Sequence, residues 1–432
     1  MISKEKQLFN SYRNKKFRFV EEILKLNLDL SLISQNNNSI IHSLVSFVFD
    51  NKISIEKKMN VINVILDKLK SALSEEDLNK ICNSYDDNGF TPLLKLMYEY
   101  HQNISTIFTN IKYEETYDYK KEKILQQGDN IETEQTNNSF LNNNFGFGFG
   151  NSNYNNKNSL ENRINAYILN QDEIKIIHEK SIKKLNKFID FILSLIKKFI
   201  SLKMDPMIKV GKLLKYRENS KDNNKDSNKE INSEIKENKD DNENIESTDD
   251  SNKLYAQYFN NQGENSILLY LMKYPNKKLL DYFLKELKIP VNICNIYQKN
   301  ALYFLFDNID TINTIENNTF YIIDILNYLM DQGINIEQID HLGNNPFLYL
   351  AMNNFDINIL KILHTNKCDI NKFNKDDYNS LFYYIRQKNL ENVKTLIEDF
   401  KVDYTLCDSK KRTIMHYLCN DEISSTDMDE SL

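Results

Sequence analysis

The chain has 432 residues, a net charge of −7 from 55 Lys+Arg against 62 Asp+Glu, and 41% hydrophobic residues. Its length exceeds one ordinary domain of roughly 100–200 residues, and its apolar share can fill a sizeable core. Asn is abundant at 63 residues while Trp is absent and Gly numbers only 9, which excludes collagen-like, wholly disordered and disulfide-dense secreted classes. The acidic balance also disfavours a general nucleic-acid binder.

From the start, Met1-Ile2-Ser3-Lys4-Glu5-Lys6 brings charge at once and no apolar run follows, so no signal peptide is expected. The most apolar short stretch, Ile40 to Phe49, is too short to span a bilayer. Five Cys (82, 294, 368, 407, 419) form no CxxC pair. The expectation is a reducing, cytoplasmic setting, with a nuclear one left open and no membrane span.

Helical units are expected over 1–100. An Asn-rich insertion, largely disordered, is then read over 101–171, because ten of the 22 residues from Asn137 to Asn158 are Asn. Inside it, Phe145-Gly146-Phe147-Gly148-Phe149-Gly150 lacks the preceding strand and following Lys-Ser/Thr of a phosphate loop. A plain loop and a sticky Phe-Gly segment remain as its readings. Residues 172–216 are expected to hold a long basic amphipathic helix that completes a unit. Within it Ile182, Leu185, Ile189, Ile192, Ile196 and Phe199 recur at heptad spacing. Packing inside the array explains that seam; a coiled-coil contact with a partner through 182–199 and a membrane-surface helix are the alternatives. Residues 217–253 carry 12 acids and 7 bases and read as an acidic disordered linker. That linker either attracts the basic helix in cis or is independent of it.

Self-similarity organises the rest. Asp86-Asp-Asn-Gly-Phe-Thr91-Pro-Leu-Leu, Asp340-His-Leu-Gly-Asn-Asn345-Pro-Phe-Leu, Asn374-Lys-Asp-Asp-Tyr-Asn379-Ser-Leu-Phe and Asp408-Ser-Lys-Lys-Arg-Thr413-Ile-Met-His416 share one pattern. An acid or Asn opens a turn, a small polar residue caps a helix, and an apolar pair follows. Cap positions fall at 39, 91, 266, 300, 345, 379 and 413, and three intervals equal 34 residues. The longer intervals read as insertions, which cost little at solvent-facing loops. Second amphipathic helices close each unit, as in Ile359 to Asn371, Leu326 to Ile336 and Asn389 to Asp403. Units of this kind bury their apolar face only by stacking.

This resembles the ankyrin repeat, whose pattern is D-x-x-G-x-T-P-L-H-x-A followed by a second helix and G-A-D-V-N. Thr91-Pro92-Leu93, Asn345-Pro346-Phe347 and Thr413-Ile414-Met415-His416 carry the first part, and Gly333-Ile-Asn335-Ile336 and Lys367-Cys-Asp369-Ile-Asn371 the second. The resemblance implies an all-α solenoid of stacked helix-turn-helix repeats with disordered insertions, with C-terminal repeats over 254–420 and a polar tail at 421–432. It also gives His42 and His416 a structural role, bonding neighbouring backbone.

No Walker A, GxSxG, HExxH or kinase motif set is present. Cys407, His416 and Cys419 lack a fourth ligand at zinc spacing. No catalytic residue, cofactor or metal is expected, and the chain is read as a non-enzyme. Tyr270, Phe304, Tyr349, Tyr383 and Tyr417 each lie four residues after a cap. They read as framework packing, with a binding ladder of rings as the alternative. The function implied is a non-catalytic scaffold that binds a partner protein through hairpin tips and a concave groove. By register the tips are Ile296, Tyr297 and Lys299; His341, Leu342 and Asn344; Lys375, Asp376 and Tyr378; and Ser409, Lys410 and Arg412. The exposed ends of first helices are Lys273, Asp307, Met352 and Arg386. The alternative is the substrate-recruiting region of a larger enzyme, such as an ADP-ribosyltransferase or kinase, cut after residue 432.

Overall fold

The computed structural model describes residues 39–50, 53–86, 88–138, 163–208, 212–214, 256–258, 265–318, 320–355 and 357–419. Residues 1–38 of the helical units expected over 1–100, the Phe-Gly stretch, the acidic linker 217–253 and the tail 421–432 lie outside the described residues. The fold is all-α, apart from one short antiparallel ladder. In it Lys212–Leu214 (β1) pairs with Ala256–Tyr258 (β2), Lys212 opposite Tyr258.

The helices are Ile40–Val48 (α1), Ile55–Ala72 (α2), Glu75–Cys82 (α3), Pro92–Asn138 (α4), Gln171–Ser201 (α5), Ile267–Leu271 (α6) and Lys277–Asp281 (α7). A π-helical turn, Tyr282–Glu286, continues α7. Then come Ala301–Phe306 (α8), Ile309–Glu316 (α9), Phe320–Asp331 (α10), Pro346–Met352 (α11), Ile357–Thr365 (α12), Ser380–Arg386 (α13), Leu390–Glu398 (α14) and Ile414–Cys419 (α15). The first helix α6 lies sandwiched between neighbours, with all five of its residues buried. Second helices bury one stripe, such as Ile322, Ile325, Leu326 and Leu329 of α10. One core cluster runs from Ile40 to Ile414.

The cap positions follow from side-chain chemistry. Ser39, Asn300, Asn345 and Asn379 cap their helices through side-chain acceptors, Ser266 occupies the same position by backbone geometry alone, and Thr91 Oγ1 accepts the Leu94 N–H at the start of α4. Asn at this position serves twice. Asn345 Oδ1 accepts the Leu348 N–H at 2.9 Å, while its Nδ2 donates to the Asp369 carbonyl at 2.7 Å. Asn300 likewise caps Leu302 and reaches the Asn335 carbonyl. At these two positions the amide ties the first helix to the turn that ends the second.

The long insertion is not a disordered loop throughout. Residues 101–138, expected to be largely disordered, are helical and continue α4. Apolar side chains explain this: Ile104, Ile107, Phe108, Tyr119 and Ile124 are buried, and the Asn-rich composition begins only near 137. The insertion extends both helices of one unit into an arm. Lys184 pairs with Glu115 across it, His178 packs edge-on against Phe108, and Tyr119 and Tyr167 hydroxyls donate to Glu173. Leu185, Ile189, Ile192, Ile196 and Phe199 are fully buried within the chain, so the heptad seam is occupied internally rather than free for a coiled-coil partner. The helix itself ends at Ser201, short of 216, where Lys203 turns with φ 64° and Pro206 follows. Likewise, the extra residues between caps 300 and 345 fold as α9, burying Ile309, Ile312 and Ile315.

Second helices stop in the left-handed region at Lys203, Lys288, Gly333, Lys367 and Lys401, with φ of 55–81°. Glycine adopts this conformation without strain, whereas a side chain costs about 1 kcal/mol. Lys401→Gly should therefore raise stability by about 0.5–1 kcal/mol, read as a higher thermal midpoint. An unchanged or lower midpoint would refute that account.

Candidate functional site

The hairpins between units share one architecture. Each opens on Asp86, Asn295, Asp340, Asn374 or Asp408, whose N–H donates to the carbonyl four residues on at 2.9–3.1 Å. In the first four, the side-chain Oδ1 accepts the N–H groups two and four residues ahead. Asp408 Oδ1 accepts from Arg412. This requirement for a short acceptor explains why only Asp or Asn opens the turn. Its fourth residue has positive φ in every copy: Gly89, Gln298, Gly343, Asp377 and Lys411.

Backbone bonds zip successive hairpins. His341 N–H donates to the Tyr297 carbonyl and Lys375 N–H to the Leu342 carbonyl, both at 2.9 Å. Asn374 Nδ2 donates to Asn344 Oδ1, and Asn295 Nδ2 to Asn265 Oδ1. The tips thereby form a line. On it His341, Leu342, Lys375, Asp376, Ser409 and Lys410 are exposed, while Ile296, Tyr297 and Tyr378 are half-buried. Asn344 is a correction: it is wholly buried, bonding Asp340 and Asn374, because the zipper needs an amide between neighbouring turns.

Behind the tips lies a row of rings and cations. Lys299 Nζ sits 4.6 Å over the Tyr349 ring and donates to its hydroxyl, which donates in turn to Asp307. Arg386 lies 5.4 Å over Tyr378 and Arg412 4.7 Å over Tyr417. Tyr378 contacts Tyr383 and Tyr417 edge-on or tilted. Burial would raise the Asp408 carboxyl, but the Arg412 N–H and guanidinium and the Tyr417 hydroxyl overcome it and hold it at about 2. Met352 and Lys273 are half-buried at the ends of α11 and α6.

Reading the rings four after each cap as framework misses part of their role. Tyr270 is fully buried, yet Phe304, Tyr383 and Tyr417 remain partly exposed. Tyr383 OH accepts from Asn374, and Tyr417 OH donates to Asp408. These hydroxyls clamp the residue that opens their own hairpin. The spacing from cap to ring and back to Asp or Asn was the available signal.

The histidines have structural partners. His42 Nδ1 accepts the Ser39 N–H, and its Nε2 bonds the Phe90 carbonyl at 2.9 Å. His416 Nδ1 accepts the Thr413 N–H. His101 and His178 bond the carbonyls of Tyr270 and Glu316, while His364 stacks on Phe400. Among the described residues no group of three His, Cys, Asp or Glu could hold a metal ion, and no helix is long and apolar enough to cross a membrane.

Helix pairs at a 34-residue period, joined by zipped hairpins, define a stacked-repeat solenoid. Residues 312–408 match the family of ankyrin repeats, as three copies. Residues 312–408 are ankyrin repeats, and ankyrin repeats are protein–protein interaction modules. No curated protein matches the chain. The same caps and turns recur outside the matched span, at Ser39, Asp86 and Thr91.

Proposed function

We propose that the chain is a non-catalytic scaffold that binds a partner protein along the hairpin tips and the adjoining ends of the first helices. One observation carries this reading. The backbone zipper joins the tips that carry exposed His341, Leu342, Lys375 and Asp376, and the Ser409 hydroxyl, donating to Asp377, adds Ser409 and Lys410 to the row, with cation-capped tyrosines behind them. A pre-ordered row of polar, charged and aromatic groups binds without the entropy cost of ordering loops.

Lys375→Glu with Lys410→Glu should weaken partner capture about tenfold or more while leaving the helical circular dichroism unchanged, because both side chains are exposed. Arg412 is unsuited to this test, since its guanidinium holds Asp408 within the hairpin. The readout is affinity capture with quantitative mass spectrometry of proteins retained by the wild type. Retention of the same partners by the double variant would remove the tips from the contact surface.

A further inference from the structure

The outer side of α5 carries a second charged surface, remote in chemistry from the hairpin row. Its inner stripe is fully buried, so the opposite arc faces solvent along the helix, and Lys180, Lys183, Lys187 and Lys197 fall on that arc. α7 runs beside it: Asn276 Nδ2 reaches Asn186 Oδ1, Lys278 Nζ pairs with Asp190 at 2.6 Å, and Lys197 Nζ lies 4.8 Å over Tyr282. On the side of α7 that meets α10, exposed Lys277 and Lys285 cover the Tyr328 ring and extend the lysines beyond the seam. Lys183, Lys187, Lys197 and Lys277 form no ion pair among the described residues. A shallow open depression of about 480 Å³ follows the helix past Asp190, Leu193, Ser194, Lys197, Lys198 and Ser201.

We propose that this α5–α7 face is a docking surface for an acidic peptide segment of a partner protein. Charge complementarity selects the occupant: lysines outnumber the carboxylates Glu179, Asp190, Asp281 and Glu286, two of which are already neutralised by Lys278 and Lys285. The remaining carboxylates interrupt the lysines, which suits spaced acidic side chains and opposes a continuous phosphate backbone. Tyr282 and Tyr328 are capped by lysines and offer no open ring on which a base could stack. Between Lys183 and Ser201 no large hydrophobic side chain is exposed, so nothing there would insert into a lipid surface.

The test is fluorescence anisotropy of a labelled oligoglutamate peptide with the full chain. Saturable binding is expected, weakening steeply as salt shortens the screening length below about 8 Å. Lys183→Glu, Lys187→Glu, Lys197→Glu and Lys277→Glu combined should raise Kd at least about tenfold, and the corresponding Gln variants should lie between. Lys375→Glu with Lys410→Glu should leave peptide binding unchanged, which separates this surface from the hairpin row. Circular dichroism controls for folding, and the milder Gln set stands in if the Glu set unfolds. Equal Kd for wild type and the Gln set would overturn the proposal, as would tighter binding of oligouridylate or of phosphatidylserine vesicles than of the peptide.

Discussion

Replacing Gly343 by alanine should destabilise the C-terminal repeats by about 2–3 kcal/mol. Two independent costs meet there. The residue has φ +88°, where an L side chain is strained, and a Cβ would sit 2.9 Å from the Lys375 nitrogen and 3.2 Å from the Asn374 Cα. Those atoms are backbone, and moving them breaks the Lys375-to-Leu342 hydrogen bond that joins the two hairpins. Gly333 supplies the control, because it has φ +81° but nothing within 4 Å of a Cβ. Gly333→Ala should therefore cost only about 1 kcal/mol. Urea unfolding followed by circular dichroism measures both. Equal losses at the two positions would show that the close approach of the hairpins carries no energy.

Acidification should destabilise the N-terminal unit through His42. Burial lowers its pKa from 6.5 to about 4, and the Ser39 N–H pointing at Nδ1 requires that nitrogen unprotonated. The unfolded chain takes up the proton near pH 6.5, the folded one only near pH 4. Stability from this residue is thus complete above about pH 6.5, falls as the pH drops, and levels off below about pH 4, a total of about 3 kcal/mol. His101 is shifted the same way, to about 4, by burial first and the nearby Lys273 second, and steepens the loss. His42→Gln should lower stability at neutral pH but flatten its decline across this window. An unchanged slope in the variant would assign the acid sensitivity elsewhere.

The caps and turns were legible because their chemistry is local. A short acceptor must open each hairpin, a small polar residue must end it, and both leave a mark in sequence at fixed spacing, as at Asp340 and Asn345. The arm was not legible. Between 101 and 138 the polar residues dominate composition, while the few inward residues, such as Ile104 and Phe108, gain their partners only once α5 lies alongside. Asn344 misled for the opposite reason. Its position in a loop suggests exposure, yet its amide is shared between Asp340 and Asn374, a contact 30 residues away that no local pattern records. Similarly, Lys at the helix ends disguises a glycine position, since Lys367 and Lys401 adopt the backbone form that Gly333 holds in the preceding unit.

The ties across the zipper reach only the adjoining unit: Asn344 to Asn374, Tyr297 to His341, Leu342 to Lys375. Tension applied along the rod would accordingly be borne by one junction at a time, and the chain would lengthen in steps, one unit peeling away before the next. The unit carrying α9 holds a longer stretch of chain than its 34-residue neighbours, so its release would give a longer step. Built this way, the array can yield at an end and re-form there without the remainder losing its shape.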